Sequence, residues 1–432
     1  MDLMPLVVLV AAMCLGAPVG TALGASALWF FMSADGVPHE AFVQKIQSSF
    51  GSYPLLAIPL FIFAASILNM AGVSQRLFDL ADALVGRTVG GLGKVNVIMA
   101  TLMGGISASA AADAAMQAKL VGQPMVNQGY PRAFVSSIIA SSAVITPIIP
   151  PGIGFILYGA MTETSIGQLF AAGIVPGLLI CVALVIVVHV VTKVNGYDRL
   201  RTTPPAADWP SRVRRMRLAL RRASLALAMP IFIVVGIRYG VFTPTEAGGV
   251  LVLIGLFFGF VVYRELRLSD IGRAIAETME TTASLMLIVC FSTAFAFYLT
   301  WEMIPQQVTQ FVLSHTNDKY TVILAINVIL LLVGTFLETI PAMIILVPLI
   351  HPIALRLGID PVHIGVIVVV NLTLGSVTPP VGILMFLANG VLGTTVAEFT
   401  RASIPFIGAI VAVLALISAF PDLCLAIPRA LY

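Results

Sequence analysis

Long uncharged runs alternate with short polar segments along almost the whole chain. Runs of this kind are typical of helices that cross roughly 30 Å of hydrocarbon, and they predict a polytopic all-α membrane protein. They cover residues 3–32, 53–74, 133–162, 165–192, 223–237, 247–263, 281–300, 364–397 and 402–420. Because no Lys or Arg precedes Lys45, we interpret 3–32 as a retained first helix and not as a signal peptide.

Two further apolar segments, 90–122 and 320–357, carry polar residues where a spanning helix is normally most apolar. The first contains Gly104-Gly105-Ile106-Ser107-Ala108-Ser109, followed closely by Asp113. Such small polar residues do not face lipid, because backbone at membrane depth needs hydrogen-bond partners. We predict that both segments are re-entrant helical hairpins whose tips line a buried site.

Two of the spanning runs contain a double proline near their middle. Pro150-Pro151 lies in 133–162, and Pro379-Pro380 lies in 364–397. Proline has no amide donor and clashes with the preceding turn. We therefore predict that both helices break there and leave carbonyls and amides free at membrane depth.

Glycine, proline and phenylalanine residues recur at a spacing of 229 residues. The pairs are Gly105 and Gly334, Gly129 and Gly358, Pro151 and Pro380, Phe170 and Phe399, and Pro176 and Pro405. We infer two homologous repeats, each built as helix, hairpin, broken helix and helix. The predicted division is a scaffold helix in 1–49, a first repeat in 50–194, a basic linker with two extra helices and an amphipathic segment in 195–276, and a second repeat in 277–432.

Composition and charge agree with a membrane protein and restrict its partners. Hydrophobic residues make up 59% of the chain and charged residues 10%, with a mean hydropathy of +1.04, whereas soluble domains carry roughly 25% charged residues. The net charge is only +3, and nucleic acid is not an expected partner. The four cysteines stand singly in apolar runs and are interpreted as small core residues.

Basic residues concentrate in 193–222, which holds nine Lys or Arg against Asp198 and Asp208. The positive-inside rule places this segment in the cytoplasm, together with the one that carries Arg264 and Arg267. Counting crossings from these anchors brings the two hairpins in from opposite sides of the membrane. Inverted repeats with discontinuous helices are the layout of secondary transporters, whose site lies at mid-membrane between the repeats.

The first hairpin tip offers oxygen ligands of the kind that suit a hard cation such as sodium. Ser107 and Ser109 each supply a hydroxyl and a carbonyl, although packing of small residues is an alternative explanation. Asp113 either shapes an ion site or caps the second hairpin helix. Glu338, which corresponds to Ser109 (338 − 109 = 229), is either a helix-terminal group or part of a cation site.

At the two breaks, the carbonyls of 146–149 and 375–378 suit sodium, and half-helix amides suit an anionic substrate. Asn371 and Thr373 either support the second break or pack between helices. We expect the substrate to lie near Asp113, Gly152, Glu338, Asn371 and Gly382. Thr243-Pro244-Thr245-Glu246 is interpreted as a capping box that opens the next helix. An intramembrane hydrolase is a second hypothesis, but no His-Glu-x-x-His, Gly-x-Ser-x-Gly or aspartate dyad is found.

In their order and spacing, these motifs resemble the large membrane subunit of tripartite ATP-independent periplasmic (TRAP) transporters. The stretches that carry the resemblance are 104–113, 149–159, Phe242-Thr243-Pro244-Thr245-Glu246-Ala247, Leu337-Glu338-Thr339-Ile340-Pro341-Ala342, and 371–382. The resemblance covers nearly the whole chain.

The resemblance implies a sodium-coupled, elevator-type importer of organic anions in the bacterial inner membrane. Its implied partners are a small four-helix membrane subunit and a soluble periplasmic binding protein that delivers substrate. Because no four-helix segment precedes Leu3, we expect the small subunit to be a separate chain. A symporter or exchanger of related fold that needs no binding protein is the alternative.

The resemblance also implies two sodium sites, one at each hairpin tip. The first would use Ser107, Ser109, Thr146 and Ile149, and the second Gly334, Thr339, Gly375 and Thr378. One departure affects the first site: the first tip of the family usually has the sequence Ser-Gly-Ser, and here Ala108 replaces the glycine. If this position needs a positive φ, alanine is strained there.

Overall fold

The computed structural model describes residues 2–107, 109–197 and 209–432, and within these ranges it contains helices and no strand. The predicted all-α fold is confirmed. Seven of the described helices are long and apolar enough to cross a membrane. They are Tyr53–Met70, Ile166–Asn195, Pro244–Val262, Leu268–Trp301, Lys319–Phe336, Thr339–Arg356 and Val396–Ala419.

The first apolar run is two helices, and the prediction of one helix over 3–32 is wrong. The helices of this region are α1 (Met4–Cys14), α2 (Val19–Ser33) and the amphipathic α3 (Glu40–Phe50). Gly16 has φ +84°, a left-handed conformation that glycine adopts readily, and Pro18 precedes the first residue of α2. The chain turns at this point, so α1 packs back against α2.

The next part of the chain contains the first hairpin and the first broken helix. Its helices are α4 (Ala57–Met70), α5 (Val73–Val85), α6 (Gly91–Gly104), α7 (Ala110–Gln117), α8 (Gln123–Asn127), α9 (Arg132–Ala143), α10 (Ile153–Thr162) and α11 (Ile166–Asn195). The first hairpin is α6 and α7, joined at the polar tip. The first broken helix is α9 and α10, interrupted over residues 144–152, which include the double proline.

Two helices follow, α12 (Trp209–Arg238) and α13 (Pro244–Phe257). The sequence predicts a linker in the basic segment 193–222. From Trp209 onward, however, this segment forms the first half of α12. Residues 198–208 lie outside the described part. The predicted capping box is confirmed at α13. The Thr243 amide donates to Glu246 Oε2 at 2.7 Å, and the Glu246 amide donates to Thr243 Oγ1 at 3.3 Å.

The remaining chain contains the second hairpin and the second broken helix. Its helices are α14 (Leu268–Trp301), α15 (Ile304–His315), α16 (Lys319–Phe336), α17 (Thr339–Arg356), α18 (Pro361–Gly375), α19 (Ile383–Leu392), α20 (Val396–Ala419) and α21 (Asp422–Leu431). Asp318 caps α16 from outside the apolar span. The hydroxyl and the amide of Thr321 both donate to the Asp318 carboxyl. These hydrogen bonds, that of the hydroxyl above all, hold the pKa of Asp318 below its usual value.

Helix bounds in the two parts correspond at the spacing found in the sequence. The α17 helix covers 339–356, and the segment 229 residues earlier is 110–127 (339 − 110 = 229 and 356 − 127 = 229). This segment begins where α7 begins and ends where α8 ends. The α9 and α18 helices begin at Arg132 and Pro361, again 229 residues apart. These bounds agree with the predicted repeats, while the division of the chain into four parts stays a prediction.

The core and the surface both fit a membrane environment. The main hydrophobic cluster joins the hairpins and broken helices, and a smaller aromatic cluster joins α1 and α2 to the end of α14 through Phe30, Phe31, Phe295 and Tyr298. On α11, Leu178, Val182, Ile186 and Val190 are exposed at four-residue intervals. This spacing places them on one helix face, an apolar stripe suited to lipid contact.

Candidate transport site

Both hairpin tips border one cavity of about 300 Å³. The first tip contributes Ser107, Ser109 and Asp113, and the second contributes Glu338 and Thr339. The broken helices add the ends next to their interruptions, and α4 and α14 form the opposite wall. The prediction that the two tips share a site therefore agrees with the position of this cavity, although the ligand roles of these residues stay predictions.

Asp113 connects the first tip to the first broken helix. Its side chain is 2% exposed, and its Oδ2 accepts a hydrogen bond from Thr146 Oγ1 at 2.6 Å. The Ser107 side chain also interacts with this carboxylate. Asp113 lies in the first turn of α7, but the hydroxyl that donates to its side chain comes from Thr146, outside that helix.

The first break leaves free acceptors beside this carboxylate, as its prolines predict. None of the described residues donates a hydrogen bond to the carbonyls of 146–149. The backbone of α6 lies close to the break, because a Cβ added at Gly104 would be 3.0 Å from the Thr146 carbonyl oxygen and 2.6 Å from Ile149 Cβ. Thr146 thus lies close to α6 through its carbonyl oxygen and is bonded to Asp113 through its hydroxyl.

Two of the ligands predicted for the first sodium site make other contacts in the structure. Ser109 is the N-cap of α7, and its Oγ accepts the amide of Ala112 at 3.3 Å. The Ile149 side chain packs against Gly104 and Gly177. Ala108, the departure from the family motif, lies outside the described residues.

The second tip contacts its own broken helix through backbone. A Cβ added at Gly375 would lie 2.4 Å from the carbonyl carbon of Gly334, so these two glycines allow α16 and α18 to approach closely. The amide of Gly382 donates to the Thr335 carbonyl at 3.2 Å. The second hairpin and the second break therefore contact each other through their backbones at this point.

Some of the acceptors predicted at the second break are already occupied. The Gly375 carbonyl accepts the amide of Thr378, and the Ser376 carbonyl accepts the amide of Leu384, both at 2.9 Å. The Thr378 hydroxyl donates to the Leu374 carbonyl at 2.9 Å. Among the carbonyls of 375–378, which were predicted to be free, those of Val377 and Thr378 receive no hydrogen bond from the described residues.

Three predicted substrate neighbours lie outside the cavity lining, namely Gly152, Asn371 and Gly382. Asn371 is fully buried, and its Nδ2 donates to Asn327 Oδ1 at 2.7 Å and to the Asn327 carbonyl at 2.9 Å. Of the two roles left open for Asn371, the structure favours packing between helices. Gly152 permits a tight turn, since a Cβ there would lie 2.0 Å from the Pro147 carbonyl oxygen.

The wall formed by α4 and α14 supplies polar residues that sequence reasoning missed. Ser66 and Asn69 come from α4, and Glu277, Thr278 and Thr281 come from α14. Ser66 Oγ donates to Glu277 Oε2 at 2.9 Å. The only sequence signal was a set of polar side chains near the ends of two apolar runs, which does not show that these ends meet.

All charged side chains among the described lining residues of the cavity are acidic. Asp113, Glu277 and Glu338 line it, and none of its described lining residues is Lys, Arg or His. The Glu338 side chain makes no hydrogen bond to the described residues, and it is the N-cap of α17 without a capping bond. Because carboxylates at membrane depth need a charge partner, this arrangement favours a bound cation over a bare anion.

The cation that fits these groups is a hard one. The groups around Asp113 are carboxylate, hydroxyl and carbonyl oxygens, which hard cations prefer. No group of three or more His, Cys, Asp or Glu residues with metal-binding geometry occurs in the described part of the chain.

Comparison with known proteins identifies the family. Residues 6–423 match the model of the DctM component of the tripartite ATP-independent periplasmic transporters. The chain is 36% identical over 414 residues to the sialic acid TRAP transporter large permease protein SiaM of Vibrio cholerae, covering 96% of this chain and 95% of SiaM. It is 36% identical to the C4-dicarboxylate large permease DctM of Pseudomonas aeruginosa, covering 89% and 88%.

Solved structures show the same fold at low sequence identity. The YdaH transporter of Alcanivorax borkumensis superposes with a TM-score of 0.66 at 14% identity, covering 90% of each chain. MtrF of Neisseria gonorrhoeae gives a TM-score of 0.57 at 13% identity, covering 91% of this chain and 84% of MtrF. At these identities the likeness concerns the fold alone.

The apolar helices and the family match together settle the class of protein. The chain is a multi-pass protein of the bacterial inner membrane. Its relatives are permeases, so the hydrolase hypothesis is excluded and the chain is a transporter and not an enzyme. It belongs to the DctM component family, the large permeases of the tripartite ATP-independent periplasmic transporters.

Proposed function

We propose that this permease couples the entry of sodium ions to the import of a small organic anion. The observation that carries the proposal is the shared cavity, which has three carboxylates and no basic side chain among its described lining residues. An anionic substrate entering alone would be repelled by this charge. In this proposal, sodium bound at the tips neutralises much of this charge and makes the cavity more suitable for a carboxylate.

In this proposal, sodium binds first at the group formed by Ser107, Asp113 and the carbonyls of the first break. A second ion binds near Thr339 and the free carbonyls of Val377 and Thr378. The N-termini of α7 and α17 begin at the two tips, and their amides suit a substrate carboxylate. Hydroxyls of Ser66, Thr278 and Thr281 on the opposite wall then contact the rest of the substrate.

The proposed movement is of the elevator type. The cavity lies between the hairpins with their broken helices on one side and α4 and α14 on the other. In our proposal, the hairpins and broken helices slide as one unit against a scaffold that contains α1, α2, α4, α13 and α14. The substrate and its sodium ions travel with the moving unit.

The names of the relatives support a small organic acid as the substrate. SiaM is named for sialic acid, DctM for C4-dicarboxylates and YiaN of Escherichia coli, 32% identical over 417 residues, for 2,3-diketo-L-gulonate. We propose a carboxylate or sugar acid for this chain. The proposed partners are a small four-helix membrane subunit and a soluble periplasmic binding protein that delivers the anion.

Uptake by proteoliposomes tests the proposal. The permease is reconstituted with its small subunit, and the substrate-loaded binding protein is added outside. An inward sodium gradient should drive accumulation, whereas a potassium gradient of equal size should not. Equal uptake under both gradients would contradict sodium coupling, and uptake of free substrate without the binding protein would favour the partner-independent alternative.

A further inference from the structure

We propose that a second, basic cavity between α5, the basic first half of α12 and the turn that follows α13 binds the headgroup of an acidic phospholipid. This cavity of about 530 Å³ is separate from the transport site and shares no lining residue with it. Its polar lining includes Arg76, Arg221 and Arg222. The inference does not depend on sodium coupling or on the identity of the transported anion.

Arg76 is already held by protein groups and forms the fixed side of the cavity. Its Nη2 contacts Glu265 Oε1 at 2.6 Å, and its guanidinium carbon lies 3.7 Å from the centre of the Tyr263 ring. The Phe258 ring packs against Tyr263, with the two ring centres 5.9 Å apart. These contacts leave Arg76 neutralised and firmly oriented.

Arg221 and Arg222 have no such partners. Both are exposed, and the described residues offer neither an ion pair nor a hydrogen bond to their guanidinium groups. The remaining acid of the cavity, Asp79, accepts a hydrogen bond from Gln75 Nε2 at 3.2 Å. Three arginines against the two carboxylates of Asp79 and Glu265 give a net charge of +1 (3 − 2 = 1).

A net charge of +1 matches one singly charged phosphodiester. Arginine guanidinium groups suit phosphate oxygens because they donate several hydrogen bonds in a fixed plane, and basic pockets between membrane helices on the cytoplasmic side are typical sites for acidic lipid headgroups. The positive-inside rule places the basic first half of α12, which includes Arg221 and Arg222, on the cytoplasmic side. The charge therefore favours a headgroup such as that of phosphatidylglycerol.

The apolar surroundings favour a lipid over a free phosphate ion. Phe258 and Val262 form part of the cavity wall. From there, Val261, Phe257 and Leu253 are exposed along α13 and the turn that follows it, at four-residue intervals. This stripe leads from the arginines toward the middle of the membrane-spanning segment and provides a surface for an acyl chain.

Native mass spectrometry of the full chain in neutral detergent tests the proposal, with phosphatidylglycerol and phosphatidylcholine titrated separately. The R221Q/R222Q variant should bind phosphatidylglycerol roughly 30-fold more weakly than the unmodified protein. The R214Q/R217Q variant is the control, because it removes the same charge from exposed positions on the same helix outside the cavity. It should bind like the unmodified protein.

Three outcomes would overturn the proposal. The first is equal loss of binding in both double variants, since it would reflect overall charge and not this cavity. The second is equally tight binding of phosphatidylcholine. The third is displacement of phosphatidylglycerol by inorganic phosphate at equal concentration, which would assign the cavity to a free ion. An R221K/R222K variant, which keeps the charge, should retain most of the binding, and its thermal unfolding reports whether the segment is still folded.

Discussion

The hydroxyl of Thr146 donates a 2.6 Å hydrogen bond to the buried carboxylate of Asp113. Thr146 belongs to the interrupted segment of the first broken helix, and Asp113 belongs to the first turn of α7. The bond thus fixes the position of the hairpin tip relative to the break. In our proposal it also orients Asp113 toward a sodium ion.

Replacing Thr146 by valine keeps the volume and removes the donor. We expect the half-saturating sodium concentration for uptake to rise roughly 30-fold, because a hydrogen bond to a charged group contributes about 2 kcal/mol. Thr146→Ser should restore most of the affinity. Thr101→Val is the matched control, since the Thr101 hydroxyl donates to the Val97 carbonyl within its own helix, at 2.9 Å, and not to Asp113. An equal effect of both valine variants would contradict the role of Thr146.

Adding a methyl group at Gly375 should separate the second hairpin from its broken helix. The new Cβ would lie 2.4 Å from the Gly334 carbonyl carbon, and backbone cannot move aside as a flexible side chain does. We expect Gly375→Ala to destabilise the protein by about 1–3 kcal/mol and to abolish uptake. Gly390→Ala is the control, because no atom lies within 4 Å of its Cβ. Thermal unfolding compares the two variants, and a Gly375→Ala protein as stable as the control would contradict the close contact.

Asn371 should matter for stability and not for transport specificity. Its amide is paired with Asn327, whose own Nδ2 donates to Ser418 Oγ at 3.1 Å. Asn371→Ala leaves Asn327 Oδ1 without its donor, at a cost of about 1–3 kcal/mol. The loss should be smaller when Asn327→Ala is already present. A changed KM for the anion with unchanged stability would instead place Asn371 in the substrate site.

Glu338→Gln removes the charge of this side chain and keeps its size and its position at the start of α17. Because the Glu338 side chain makes no capping bond, the substitution should leave thermal unfolding in sodium-free buffer unchanged. We expect the sodium requirement for uptake to rise roughly tenfold, which corresponds to about 1.4 kcal/mol of lost attraction. Lower stability with an unchanged sodium requirement would show that Glu338 is only a helix-terminal group.

The sequence predicted best those helix bounds and breaks that correspond at a spacing of 229 residues. The spacing of 229 residues anticipated that α17 corresponds to 110–127, and the double prolines anticipated both breaks. Such features are local or periodic, so they are visible in one chain. The helix over 3–32 was predicted wrongly because a single left-handed glycine, Gly16, is enough to turn an otherwise uniform apolar run.

The opposite wall of the cavity could not be predicted in the same way. Glu277 lies 211 residues after Ser66 in the chain, and only the packing of α14 against α4 brings their side chains to 2.9 Å. Nor does sequence pattern reveal that Ser109 uses its hydroxyl to cap α7 while Ser107 contacts Asp113. The contacts of the two serines depend on the directions of their side chains, which the motif does not determine.

The central claim, that Asp113 belongs to a sodium site, is tested most directly by the thermal stability of the purified permease in NaCl and in KCl at equal ionic strength. Sodium at about 100 times its dissociation constant should raise the melting temperature by about 3 °C, since ligand binding at that excess contributes about 2.7 kcal/mol. The Asp113→Asn variant should lose this difference between the two salts. The same sodium-specific stabilisation in unmodified protein and variant, or none in either, would contradict the claim.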